Sequence, residues 1–198
     1  MYDMVNHNTL KPVPSLSRSI ATGAIGFGLV SLCVFATVAF AERWMYQNLG
    51  LFGAYLTWIV LFIVLSGAVF GSLVVVGRWR LPRFYVLFGV AFFAYAAAWI
   101  IAYFTLRNTA GEFVGSLAGS VLMALVFALG FGALRSTAKL SAVLFVSNLL
   151  GYFLGAALFS SLSAPTGMLL FGVAYGLSFG AGIGAALCIA QTAQNEVV

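Results

Sequence analysis

The chain has 198 residues, of which 63 % are hydrophobic and 7 % charged, with nine Lys+Arg against four Asp+Glu. A water-soluble domain keeps roughly a quarter of its residues charged, so this composition, with a mean hydropathy of +1.11, excludes a soluble globular fold and makes lipid the expected solvent. The net charge of +5 does not point to nucleic acid, because the basic residues are scattered at the ends of apolar runs and form no solvated basic element.

Residues 1–18 contain Pro12 and Pro14, lack hydrophobic periodicity and read as a polar cytoplasmic tail. Six apolar runs follow: Ser19 to Ala41, Leu51 to Val76, Phe84 to Leu106, Phe113 to Leu134, Leu140 to Leu162, and Gly167 to Ala190. As a helix, each is long enough to cross about 30 Å of hydrocarbon. The expected architecture is therefore an all-α integral membrane protein, with a six-helix transmembrane bundle over residues 19–191 and a short cytoplasmic tail over 192–198. The first run ends in Ala39-Phe40-Ala41 before Glu42, which resembles a signal-peptidase site. Its apolar core exceeds the roughly 7–15 residues of a signal sequence, so it is expected to be a retained helix.

Short loops rich in Lys and Arg mark the cytoplasmic face. Lys11, Arg18, Arg78, Arg80, Arg83, Arg135 and Lys139 fall on one side and only Arg43 and Arg107 on the other, which places both termini in the cytoplasm and suits an even number of spans. Trp44, Tyr46, Tyr55 and Trp58 then lie near the outer interface, and Trp79 and Tyr85 near the inner one. Arg78, Arg80 and Arg83 around Trp79 are expected to set orientation and meet anionic headgroups, with docking of a cytoplasmic partner as the other reading.

Within the runs, four patterns stand out. Tyr95, Trp99 and Tyr103 form an i, i+4, i+8 aromatic stripe on the third run, suited to packing, to interfacial anchoring or to holding a ligand, lipid or pigment. The fourth run has a face of Glu112, Gly115, Ser116, Gly119 and Ser120, and the fifth a face of Asn148, Gly151, Tyr152 and Gly155. Glu112 sits at the outer rim; the others include the most polar groups at mid-depth, and a buried amide or hydroxyl needs a partner. Asn148, Tyr152, Ser116 and Ser120 are thus the candidate ligand-binding residues, with interhelical hydrogen bonding as their alternative role. The last run carries Gly172, Gly176, Gly180 and Gly184 at spacing four. With Gly151 and Gly155, these glycines are expected to form packing seams where backbones approach closely; for the last run a gating hinge or a narrow pore lining is the other reading.

Arg18, Arg83 and Lys139 open the odd-numbered runs, while Phe70-Gly71-Ser72-Leu73, Phe131-Gly132-Ala133-Leu134 and Ile183-Gly184-Ala185-Ala186 recur toward the ends of the even ones, at offsets of 61 and 52 residues. This pattern suggests three helical-hairpin repeats. The acidic and basic Pro-containing signature of mitochondrial carriers is missing, so that three-hairpin family is set aside. Cys33 and Cys188 are the two cysteines, each inside an apolar run and too far apart in depth for an intrachain disulfide.

No Asp, Glu, Lys, Arg or His lies in the middle of any run, which disfavours ion-coupled transport and voltage sensing. The single histidine is His7, and there is no HExxH sequence, paired Asp or P-loop, so the residues name no enzyme activity, no metal site and no cofactor. Two functions remain. One is a non-catalytic accessory or scaffold subunit of a larger membrane complex, with the bilayer and other membrane subunits or copies of itself as partners. The other is a passive channel, facilitator or substrate-binding membrane subunit for a small neutral solute held near Asn148 and Tyr152. For the second, Ala164-Pro165-Thr166-Gly167 is similar to a Pro-Thr-Gly stretch in the biotin-type substrate-binding subunits of energy-coupling-factor importers, which share the size, six spans and cytoplasmic termini read here. In either case the chain is expected in the cell (inner or plasma) membrane.

Overall fold

A computed structural model describes residues 12–75 and 80–195, so His7, Lys11, Arg78 and Trp79 lie outside the described residues. The elements are α1 (Leu16–Gly71), α2 (Arg80–Leu106), α3 (Thr109–Gly130), a single 3-10 turn (Leu134–Ser136), α4 (Thr137–Ser161) and α5 (Ala164–Asn195). All five α-helices are long and apolar enough to cross a membrane.

Where six helices are expected, five are found among the described residues, because the first two apolar runs lie in one 56-residue element. The connecting residues Glu42 to Leu49 include no Pro or Gly, so nothing stops the helix where the apolar run stops. Only Gly50, at φ 66° and ψ 177°, leaves helical geometry, in a region open essentially to glycine. Past it the chain folds back on itself. The Phe27 and Phe62 rings lie 5.5 Å apart, and Trp58 Nε1 donates to Thr37 Oγ1 at 3.1 Å. Two arms, 16–49 and 51–71, therefore lie side by side.

Helix α1 also starts inside the stretch expected to be an irregular tail. Ser15 caps it, its hydroxyl accepting from the Arg18 amide at 3.4 Å, and Pro14 precedes the cap. At the other terminus α5 runs on past Ala190 to Asn195.

The helices pack in a closed ring, α1 against α5, α5 against α4, α4 against α3, α3 against α2 and α2 against α1. Helix α5 is the most enclosed: 67 % of its most apolar window is buried, against 22 % to 44 % in the other four. Its glycines explain how. A Cβ on Gly180 or Gly184 would overlap the carbonyl oxygens of Gly23 and Ser19, and one on Gly176 would lie 2.8 Å from the Gly28 Cα, so this stripe lies directly on the first arm of α1. On α4, Gly151 and Gly155 lie against Tyr175 and Phe171 of α5, where a Cβ on either would come within 3.2 Å of the α5 backbone. Ser178 Oγ closes that seam by donating to the Ser147 carbonyl at 2.7 Å.

The three recurring tetrapeptides occupy different environments: the end of α1, the turn after α3 where Gly132 has φ 66°, and the middle of α5. They do not occupy equivalent positions on their helices.

The start of α1 and the end of α5 meet, Cys188 Sγ lying 3.4 Å from the Pro14 carbonyl oxygen. There the buried Gln191 holds the chain after α1: its Oε1 accepts from the Val75 amide at 3.0 Å, and its Nε2 donates to the Leu73 carbonyl at 3.2 Å. The outer surface of the ring is apolar, with Phe52 80 % and Ile101 66 % exposed.

Gly180→Ala is expected to destabilise the bundle by about 1–3 kcal/mol through overpacking, and Gly180→Leu by more, both read as a lowered Tm in detergent. Leu150→Ala, on the exposed surface, is the control expected to melt like wild type. A wild-type Tm for Gly180→Leu would show that α1 and α5 separate at no cost.

Candidate functional site: an aromatic cavity at one end of the ring

At the end of the ring that holds Gly50 and the α4 to α5 turn lies a cavity of about 440 Å³. The first arm of α1 supplies Phe35, Glu42 and Tyr46, and the second arm Tyr55, Trp58 and Phe62. Helix α2 adds Phe92, Tyr95, Trp99 and Tyr103, α4 adds Tyr152 and Phe159, and α5 adds Met168, Phe171 and Tyr175. Among the described residues, thirteen of the twenty that line it are aromatic, and Glu42 is the one that carries a charge. This volume falls within the roughly 300–1,000 Å³ of small-molecule sites.

Spacing along each helix puts these rings on one face. Tyr95, Trp99 and Tyr103 recur every fourth residue of α2, and Trp99 stacks on Tyr103 at 5.0 Å and 9°. Helix α3 braces them from behind. A Cβ on Gly115 would lie 3.0 Å from the Trp99 Cα, and one on Gly119 would lie 2.6 Å from the Tyr95 ring, so only a glycine face lets α3 come this close. Trp99 then meets Tyr152 at 5.7 Å, and Tyr152 meets Phe171 at 5.5 Å, linking α2 to α4 and α5 across the cavity.

The floor is a polar relay above an aromatic plug. The Tyr95 hydroxyl donates to Asn148 Oδ1 at 2.6 Å. A phenol has one proton to give, so the 3.2 Å contact between the Tyr95 and Tyr175 hydroxyls is a bond donated by Tyr175. Below it, the fully buried Phe27 packs against Phe62, Phe70, Phe92, Tyr175 and Phe179 at 5.5–6.4 Å. The rings fill the ring's interior beneath the relay.

Of the four residues singled out as ligand-binding from the sequence, only Tyr152 lines the cavity. Asn148 is fully buried and reaches it only through Tyr95, while its Nδ2 has no hydrogen-bond partner among the described residues. Ser116 and Ser120 are also buried, with hydroxyls unpartnered among the described residues, on α3, which contributes nothing to the wall. Gly151, Gly155 and the α5 glycines lie in helix seams. Sequence reasoning missed Glu42, Trp58, Phe171 and Tyr175 as members of one site. A signal for two of these was present: Phe171, Tyr175 and Phe179 repeat on α5 the spacing of Tyr95, Trp99 and Tyr103 on α2.

Comparison with family models, with curated proteins and with solved structures finds no match. The functional reading therefore rests on this geometry.

Tyr95→Phe removes the donor to Asn148 and leaves a buried carbonyl unpaired, at an expected cost of about 1–3 kcal/mol. Asn148→Leu in the same background should restore part of that loss, because no orphaned amide remains. A double-mutant cycle of chemical or thermal unfolding checks this; strictly additive losses would show that the pair does not act as a unit.

Proposed function

We propose that the chain is a multi-pass membrane protein that binds a small organic solute in the aromatic cavity, as a facilitator or substrate-binding membrane subunit and without catalysing a reaction. The two arms of α1 and the four following helices supply six apolar rods, read here as six spans. Arg18 and Arg83 lie at the end where α1 begins and α5 finishes, Arg107 at the Gly50 end. By the bias of Lys and Arg toward cytoplasmic loops, both termini face the cytoplasm and the cavity faces outward, in the plasma or inner membrane.

The observation that carries this reading is the cavity itself. Membrane helices gain packing contact by excluding space between them, and these do so tightly around Phe27 while leaving about 440 Å³ on the far side of its neighbours Phe62, Phe92 and Tyr175. A wall of rings with a few hydroxyls is the usual composition of a small-molecule site, most of it apolar with a few polar groups fixing orientation. The plug beneath supports a binding site with one entrance over an open channel. A scaffold subunit, held in a complex by its outer faces, has no need of an internal cavity, which puts solute binding ahead of that reading.

The test is native mass spectrometry of the protein gently extracted from its own membranes. A small molecule bound in stoichiometric amount to wild type and lost from Trp99→Ala and Tyr152→Ala variants that still fold, with Tm lowered by the lost ring contacts, is the expected result. Stoichiometric partner polypeptides with no small molecule would carry the accessory-subunit reading in its place.

A further inference from the structure

Resting on the solute-binding reading above, we infer that the cavity selects a hydrophobic organic ammonium ion, held by the faces of the aromatic wall with Glu42 as its counter-charge. The sequence alone suggests a neutral solute, since no run has an ionisable residue at mid-depth. The structure changes the premise: α1 overshoots its apolar run by more than two turns, and that overshoot carries Glu42 onto the cavity wall beside Tyr46.

Three observations converge on a cation. First, the charge of the site runs against the charge of the chain. The chain has nine Lys+Arg and a net charge of +5, yet among the described residues no Lys, Arg or His lines the cavity, while a carboxylate does. Second, the acidic residues are concentrated here. Of the four in the sequence, Asp3 and Glu196 lie outside the described residues, and the remaining two both adjoin phenols of this wall, Glu42 at Tyr46 and Glu112 at Tyr152. Third, the wall is aromatic. Tyr46, Tyr55, Trp58, Trp99, Tyr103 and Tyr152 line the space, and the negative face of an aromatic ring attracts an ammonium.

A metal cation does not fit the same wall. Hard cations take six or more oxygen ligands in a close shell, whereas here the wall itself supplies one carboxylate, Glu42, and Glu112 adjoins it only at Tyr152, among phenols and hydrocarbon. An alkylated or aryl-substituted ammonium presents a diffuse charge that needs no such shell and an apolar body that the remaining wall can bury. An anion would meet Glu42 with no opposing charge on the wall, and an uncharged isostere would gain ring contact but nothing from the carboxylate.

The probes are benzyltrimethylammonium and its uncharged isostere neopentylbenzene, titrated by calorimetry into the purified full-length chain in nanodiscs of zwitterionic lipid, so that the bilayer itself does not concentrate the cation. Wild type should bind the cation ~10-fold or more tightly than the isostere. Glu42→Gln should remove most of that preference without weakening the isostere, and Glu42→Asp should retain part of it. Glu42 is exposed at the cavity mouth, so both variants should melt like wild type, and the wild-type preference tests the inference even if one does not. Equal affinity for the two probes would overturn the cation assignment and leave the solute cavity standing. A cation preference unchanged in Glu42→Gln would overturn it equally, by removing the counter-charge. Binding of neither probe, and of no co-purifying small molecule, would overturn both readings.

Discussion

The backbone of α5 lies within van der Waals reach of two other helices at once, and the architecture depends on that double approach. Between helices in lipid there is no hydrophobic driving force, so association relies on contact and on interhelical hydrogen bonds. One flank of α5 meets this condition with Gly172, Gly176, Gly180 and Gly184 against α1. The other meets it partly through Gly151 and Gly155 of α4 and partly through Gly182, which sits over Ser147. With both flanks free of bulk, the larger side chains of α5 face either the outer surface, as Leu170 and Leu177 do, or the interior of the ring. Phe171, Tyr175 and Phe179 turn into the ring, where they become cavity wall, relay and plug.

The transition from plug to cavity follows the order of residue types along the helices. Deep in the bundle the rings are phenylalanines, which stack or tilt against one another around Phe27 and leave no polar atom to satisfy. Toward the Gly50 end they give way to tyrosine and tryptophan, whose hydroxyls and indole nitrogens require partners or an aqueous edge. Tyr95 stands at the boundary, with Phe92 and Phe179 on its apolar sides and Asn148 and Tyr175 at its hydroxyl. Its ring belongs to the packed core and its oxygen to the cavity floor.

Spacing made some of this legible in advance. Glycine every fourth residue on α5, the aromatic stripe on α2 and the small polar faces around Ser116 and Asn148 each specify which residues share a side of a helix. What spacing leaves open is the rotation of each helix within the bundle. Ser116 and Ser120 share a face with glycines that α3 turns onto α2, so they are enclosed by helices and do not reach the cavity. Asn148 lies one ring away from it. Hydropathy also says where a helix leaves the apolar regime but not where its hydrogen bonding stops, which is why Glu42 to Leu49 reads as a loop and folds as two further turns. The site's one carboxylate sits in that gap.

Glycine does two different jobs in this chain, and they set different tolerances to a change in length. At Gly50 the space where a Cβ would stand is empty, and the requirement is a backbone handedness that L residues avoid. One extra residue there adds slack at a reversal and leaves the register of both arms intact. In α5 the requirement is volume along a line, and an inserted residue would turn everything beyond it by about 100°. Gly180 and Gly184 would swing away from α1 together, bulkier side chains would face the Gly23 and Ser19 carbonyls, and the aromatic series would be cut in two. The chain can thus drift in length where it reverses, while its last helix is held to an unbroken frame.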